Sequence, residues 1–487
     1  MKKIKIIEIG IGPHAMRVYC PALKKLSNEG KVDLCLAIDL KEKESIVKAY
    51  FSSLNWSLDF LFVQPFQADL LPQYLSDYLN KYVEQHKIDG VIISTEPLCH
   101  KAYAKWALSC ELNILMDKPI TTYIDVVSNF SHAKKIETDY LELLQDYLKI
   151  QNRKTTIFSI NTQRRFHSGF QLVFNLIKDV AEKTNCPVTA IHSMHCDGQW
   201  RLPSEIVTQD YHPYNSGYGK ASHSGYHIFD IVYQFYKSSQ ITTKQAESME
   251  IISSFIQPRG FLMQLTEQDY KALLGDDYLK TNKFSDSELW NTFQNYGEID
   301  VSAIIKLLKN QENICNITIN LLHNGFARRD WIYPGKDLYK GNGRVKHEYH
   351  NIQQGPFQNI QIHSYQSKDK HDVNDKSDDY IGGNNHFDIH VFNNTTFTKT
   401  KEAFQIITMK DIKNKVMEFS DDQLFIEITK HRVVLEFIDF IRKKRSKNNL
   451  ISNIEDHLIP VQIMSGIYKS HILYTSGNNP LVKYNLL

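Results

Sequence analysis

Gly10, Gly12 and Ala15 stand at the spacing Gly-x-Gly-x-x-Ala. They follow the β-branched run Ile4–Ile9 and precede a stretch of helical spacing, Met16–Asn28. Glycine at the first position permits a tight turn. At the second it lets a pyrophosphate approach the backbone, and Ala15 lets helix and strand pack closely. The N–H groups of the following helix start face the phosphates. The next apolar run, Val32–Ile38, ends at Asp39, 24 residues after Ala15. A carboxylate there accepts hydrogen bonds from both ribose hydroxyls of an adenosine and repels a 2′-phosphate. NAD is therefore expected over NADP, with Lys41 and Lys43 nearby pulling the other way.

A second group of motifs lies further on. Residues 89–119 read DGVIISTEPLCHKAYAKWALSCELNILMDKP, with Thr95-Glu96-Pro97-Leu98-Cys99-His100 after one strand pattern and Asp117-Lys118-Pro119 after the next. Gly219, Gly225, His227 and Asp230 lie in GKASHSGYHIFD, and Gln163-Arg164-Arg165-Phe166 and Asp456-His457-Leu458-Ile459-Pro460 come before and after. In these stretches the chain resembles the glucose-fructose oxidoreductase, inositol dehydrogenase and rhizopine-catabolism (Gfo/Idh/MocA) family of NAD(P)-dependent oxidoreductases. That family carries Thr-Pro-x-x-x-His, Glu-Lys-Pro and Gly-x-x-x-Asp-x-Gly-x-His-x-x-Asp. Glu96 replaces a proline, Asp117 a glutamate, and His223 stands where the family has an acid.

The resemblance implies a catalytic set of Lys118, His227 and His223, and a substrate-binding set that adds Arg165. It places Thr95, Glu96, His100 and Lys118 beside Gly10, Gly12, Pro13, His14, Ala15 and Asp39 as the cofactor-binding residues. The chemistry is coherent from the residue types alone. Hydride leaves a carbinol carbon readily only as the hydroxyl proton is withdrawn, and imidazole titrates near neutrality. A lysine ammonium can hold the hydroxyl oxygen and stabilise its developing charge. Which of His223 and His227 is the base stays open. The implied substrate is a polyol: a sugar, a cyclitol or a nucleotide-linked sugar. Two alternatives accompany it, a redox-neutral NAD-dependent glycosidase and a non-catalytic dinucleotide-binding protein. A homo-oligomer formed through the open face of the second sheet is a further implication.

Other patterns have plainer readings. His223, His227 and Asp230 share a helix stripe that could hold a divalent metal, but no fourth ligand is evident and no metal is expected. His192, His195, His386 and His390 read as strand residues, and Arg442–Lys447 as a solvated helix end.

The elements that must position these residues alternate strand and helix over the first 120 residues, which predicts a Rossmann-type doubly wound parallel sheet. Strand patterns without regular helices follow. They predict an α+β domain with a large, mostly antiparallel sheet, domains 1–122 and 123–487, and insertions near 260–297 and 366–386. The chain has 487 residues, 42% hydrophobic and 23% charged, enough for a substantial core. Net charge is +2, so no nucleic-acid or membrane partner is expected. Seven cysteines without a CxxC, and no apolar run near 18 residues, fit a reduced cytoplasmic protein.

Overall fold

A computed structural model describes residues 3–66, 68–333, 343–367, 380–383, 385–415 and 425–486. The chain divides into two compact units. One comprises Met1–Thr122, Lys135–His167 and Phe425–Val461; the other comprises Tyr123–Lys134, Ser168–Leu424 and Gln462–Leu487.

The first unit is built on a six-stranded sheet: β1 (Ile4–Ile9), β2 (Val32–Leu40), β3 (Asp59–Val63), β4 (Gly90–Ile93), β5 (Asn113–Met116) and β6 (Phe158–Ile160). The order is β3-β2-β1-β4-β5-β6 and every pairing is parallel. The central strands are mostly apolar and buried on both faces, as a sheet covered by helices on both sides requires. Two features extend this unit beyond residue 122, where the sequence reading drew its boundary. β6 pairs with β5, and the helix Phe425–Ile441 buries Val433, Val434, Phe437 and Ile438 in the same core as Val18, Leu23 and Ile92.

The second unit holds nine strands: β7 (Ala190–Gln199), β8 (Ser248–Ile256), β9 (Asp300–Lys309), β10 (Glu312–Asn324), β11 (Lys346–Gln354), β12 (Gln358–Gln366), β13 (Asp388–Asn393), β14 (Phe404–Ile407) and β15 (Val482–Asn485). Their order is β14-β13-β12-β11-β7-β10-β9-β8-β15. β7 and β10 are parallel; the other pairings are antiparallel. Burial alternates along β9 and β11, so one face is packed and the other open. The helices Ser168–Thr184 and Tyr226–Lys237 belong to this unit.

Residues 258–297 form short helices whose Phe261, Leu262, Leu289 and Phe293 pack with Tyr214 and Ile299. Most of the charged insertion near 366–386 lies outside the described residues. Among the described residues, no helix is long and apolar enough to cross a membrane.

Candidate active site

In the first unit the glycine turn is set by sterics. Gly10 has φ +90°, and a Cβ there would lie 2.7 Å from the carbonyl of Ser94 and the nitrogen of Thr95. Only glycine lets β1 end this close to the end of β4. A Cβ on Gly12 would meet nothing within 4 Å, so its backbone borders open space. Pro13 opens the helix Pro13–Arg17, and Ala15 is buried against the sheet. Asp39 accepts the Ile11 N–H at 2.8 Å and the Leu40 N–H at 2.6 Å. Its carboxylate thus braces the turn and retains lone pairs for a further donor. Burial raises it above the usual range, and those two N–H bonds work against the rise. Lys41 is drawn to Glu44 at 2.5 Å.

His100 links the turn to Lys118. Its ring nitrogens lie 3.0 Å from the Thr95 carbonyl and 2.8 Å from the Pro119 carbonyl, and the side chain is fully buried. It clamps the Ser94–Thr95 segment, on which Gly10 rests, to the residue after Lys118. That placement makes it a brace for the turn rather than a surface that meets a ligand. Lys118 follows β5 and is half-buried, and its charge acts on Glu96 and His14. Beside it, Asp117 accepts hydrogen bonds from Tyr19 Oη and, at 2.9 Å, from Asn161 Nδ2, with His14 Nε2 at 3.8 Å.

Arg165 lies elsewhere in this unit. It is 2% exposed, and its guanidinium reaches the carbonyls of Ile451 and Asp456 at 3.3 Å each. This buried staple ties down the returning chain.

In the second unit a single π turn, Ala221–Gly225, leads into the helix Tyr226–Lys237. Such turns widen the helix locally and re-aim side chains. His223 on this turn is buried among aromatic rings. His212 lies at 4.7 Å, Tyr214 at 5.3 Å and Tyr218 at 5.4 Å between centroids. His227 is half-buried and Asp230 fully buried. Glu298 lies against the same turn: it accepts the Ala221 N–H at 2.7 Å and the Tyr468 hydroxyl at 2.8 Å.

One residue before the π turn, Lys220 enters a buried ionic cluster. Its Nζ lies 2.5 Å from Asp197 Oδ2 and 3.2 Å from His195 Nδ1. Arg344 contributes a second cation at 3.4 Å from Asp197, and its Nε donates to the Asp197 carbonyl at 2.7 Å. Burial acts to raise Asp197, but Lys220, His323, His195 and Arg344 outweigh it and hold the carboxyl well below the usual range. Among the described residues, no group of three or more His, Cys, Asp or Glu is placed to hold a metal ion.

No protein-family model matches this chain, and no curated protein is similar to it in sequence. Solved structures are similar. An oxidoreductase from Agrobacterium radiobacter, in complex with NAD+, L-tartaric acid and magnesium, has a TM-score of 0.56 at 10% identity over 99% of this chain and 98% of that one. The aldose-aldose oxidoreductase of Caulobacter crescentus, complexed with glycerol, scores 0.55 at 10% identity over 99% and 100%. The scyllo-inositol dehydrogenase of Lactobacillus casei scores 0.52 at 13% identity over 99% and 98%. This chain shares their fold.

Within that fold Asp39 hydrogen-bonds into the glycine turn, and His100 ties Thr95, beside Gly10, to Pro119, the residue after Lys118. It sets His223 and His227 on one turn of another unit. Sequence reasoning missed Lys220, Asp197 and Glu298, and read His195 as an ordinary strand residue. One signal was present: His195, Asp197 and Gln199 alternate on β7, and all three are buried. Three polar residues at period two on a buried face mark a polar pocket wall.

Proposed function

We propose that this protein is an NAD-dependent oxidoreductase acting on a ring carbinol of a polyhydroxylated small molecule: a sugar, a cyclitol or a nucleotide-linked sugar. The observation that carries the reading is the clamp in the first unit. His100 joins the segment under Gly10 to the residue after Lys118, so the phosphate-type turn and the lysine are held as one piece. The open backbone at Gly12 fits a pyrophosphate, and the spare lone pairs of Asp39 fit ribose hydroxyls. Gly12, Asp39 and Thr95 would hold the dinucleotide. When bound, it supplies the hydride acceptor.

Lys118 binds the substrate's hydroxyl oxygen and stabilises negative charge developing on it. His227 takes the hydroxyl proton and returns it in the reverse direction, and His223 binds substrate beside it. The similar structures carry NAD, L-tartaric acid and glycerol, or are named for inositols and aldoses, which supports a polyhydroxylated substrate. Ile252 and Ile304 pair across β8 and β9 on the open face and are 40% and 51% exposed, which supports a homo-oligomer. Light scattering showing a monomer alone would refute that assembly.

Lys118→Ala tests the reading directly. Turnover on the best polyol of a screen is expected to fall about 10²–10³-fold, with calorimetric NAD affinity retained. Unchanged turnover removes the role of Lys118. Absence of NAD binding to the unaltered protein removes the whole reading.

A further inference from the structure

His323 stands near the end of β10, next to β7 in the parallel pairing. The register of the two strands shifts between Leu322 and Asn324, opposite Cys196 and Gln199. The extra residue on β7 is accommodated at Gly198, which has φ +63° and lies so close to the Val345 carbonyl that a Cβ would be 1.5 Å from its oxygen. The bulge carries Asp197 to the side of His323. His323 Nδ1 faces Asp197 Oδ2 at 3.5 Å, and the backbone N–H of His323 donates to Asp300 Oδ1 at 2.9 Å.

A carboxylate on one side of an imidazole fixes the ring proton on that side. Nδ1 therefore carries the hydrogen and Nε2 presents a lone pair. That Nε2 is buried and has no hydrogen-bond partner. The charged and titratable groups around the ring are Asp197, Asp300, Lys220, Arg201 and Tyr214. Burial pushes the imidazole down to about 4; Asp197 pulls it up, while Arg201 and Lys220 add to the fall. The ring is neutral at physiological pH and stays an acceptor there.

A buried acceptor without a donor costs free energy that a donor from outside recovers. Lys220 is turned to Asp197 and His195. Tyr214 lies edge-on to His323 at 5.4 Å and edge-on to His223 at 5.3 Å, so both imidazoles flank one ring. We infer that His323, oriented by Asp197, accepts a hydrogen bond from one substrate hydroxyl and is a specificity-determining residue of the second unit. This rests on the polyol reading above. No proton is transferred to it: the hydroxyl donates to Nε2 and keeps its hydrogen. A site built around such an acceptor rejects an analogue lacking the hydroxyl, because the lone pair is then buried unpaired.

The test is calorimetric titration of the NAD-loaded protein with myo-inositol, D-glucose and glycerol, alongside ¹⁵N-histidine NMR. His323→Phe is expected to weaken the polyol that binds at least tenfold while leaving NAD affinity within twofold. His323→Gln, which restores a carbonyl acceptor, should recover part of that loss. In the unaltered protein the Nε2 resonance should start as a bare lone-pair nitrogen and move upfield as polyol is added. If His323→Phe fails to fold, the resonance alone decides. Polyol binding that leaves Nε2 unmoved, or an Nε2 already hydrogen-bonded before polyol is added, overturns the inference while the polyol reading stands. Failure of every polyol to bind overturns the polyol reading and this inference with it.

Discussion

Asp117 in the first unit and Asp197 in the second are carboxylates of similar exposure, 16% and 12%, each at the centre of a polar cluster. Their partners differ. Asp117 is served by neutral donors, the Tyr19 hydroxyl and the Asn161 amide, and it bridges the C-terminal ends of the adjacent parallel strands β5 and β6. Asp197 faces two cations, Lys220 and Arg344, and the imidazole of His323. Neutral donors give a hub that tolerates substitution, whereas a buried ion pair leaves an uncompensated charge behind when one member is removed. The comparison therefore predicts unequal consequences from similar truncations.

The largest effect is expected for Asp197→Ala, which strands the Lys220 ammonium in a site where that side chain is 1% exposed. Removing one partner of such a pair costs about 3–5 kcal/mol, readable as a drop in the urea midpoint. Gly10→Ala comes next. Its φ of +90° and the 2.7 Å approach to Ser94 and Thr95 imply a loss of about 1–3 kcal/mol, together with weakened NAD affinity by calorimetry. Asp117→Ala should cost less than Asp197→Ala, about 1–3 kcal/mol, for two buried neutral donors left without their acceptor. An equal loss for Asp117→Ala and Asp197→Ala would break the comparison.

The smallest effect concerns pH. Burial raises Glu298 to about 7, above the 4.5 of an unperturbed glutamate. A carboxyl raised by folding contributes stability that is present below its unfolded value and lost as pH climbs through its folded one. Stability should thus decline between about pH 4.5 and 7. Glu298→Gln should narrow the gap between urea midpoints measured at pH 5 and pH 8, and an unchanged gap would assign the decline to other carboxyls.

The first unit was largely legible. β1, β2, β4 and β5 each begin and end within two residues of their apolar runs, because a strand buried on both faces writes itself as a mostly apolar, β-branched stretch. β11 was missed: KHEYHNIQQ sets its polar open face against a buried face that itself holds Glu348, His350 and Gln354. The membership of β6 was also missed, since a three-residue strand carries no mark of which sheet it joins. Arg165 was read as a substrate ligand from a short motif, and the structure spends it on backbone carbonyls.

What the sequence determined by itself was local. The Gly10–Ala15 turn, the acid closing β2 and the lysine closing β5 follow from sterics and periodicity over a few residues, where chain connectivity leaves few alternatives. The tertiary structure alone decided that Asp197, Lys220, His323 and Arg344 meet. They come from segments up to 147 positions apart, and their meeting depends on β10 pairing parallel with β7 and on a one-residue bulge at Gly198. Strand order and register are properties of the whole packed sheet, and no spacing along the chain encodes them.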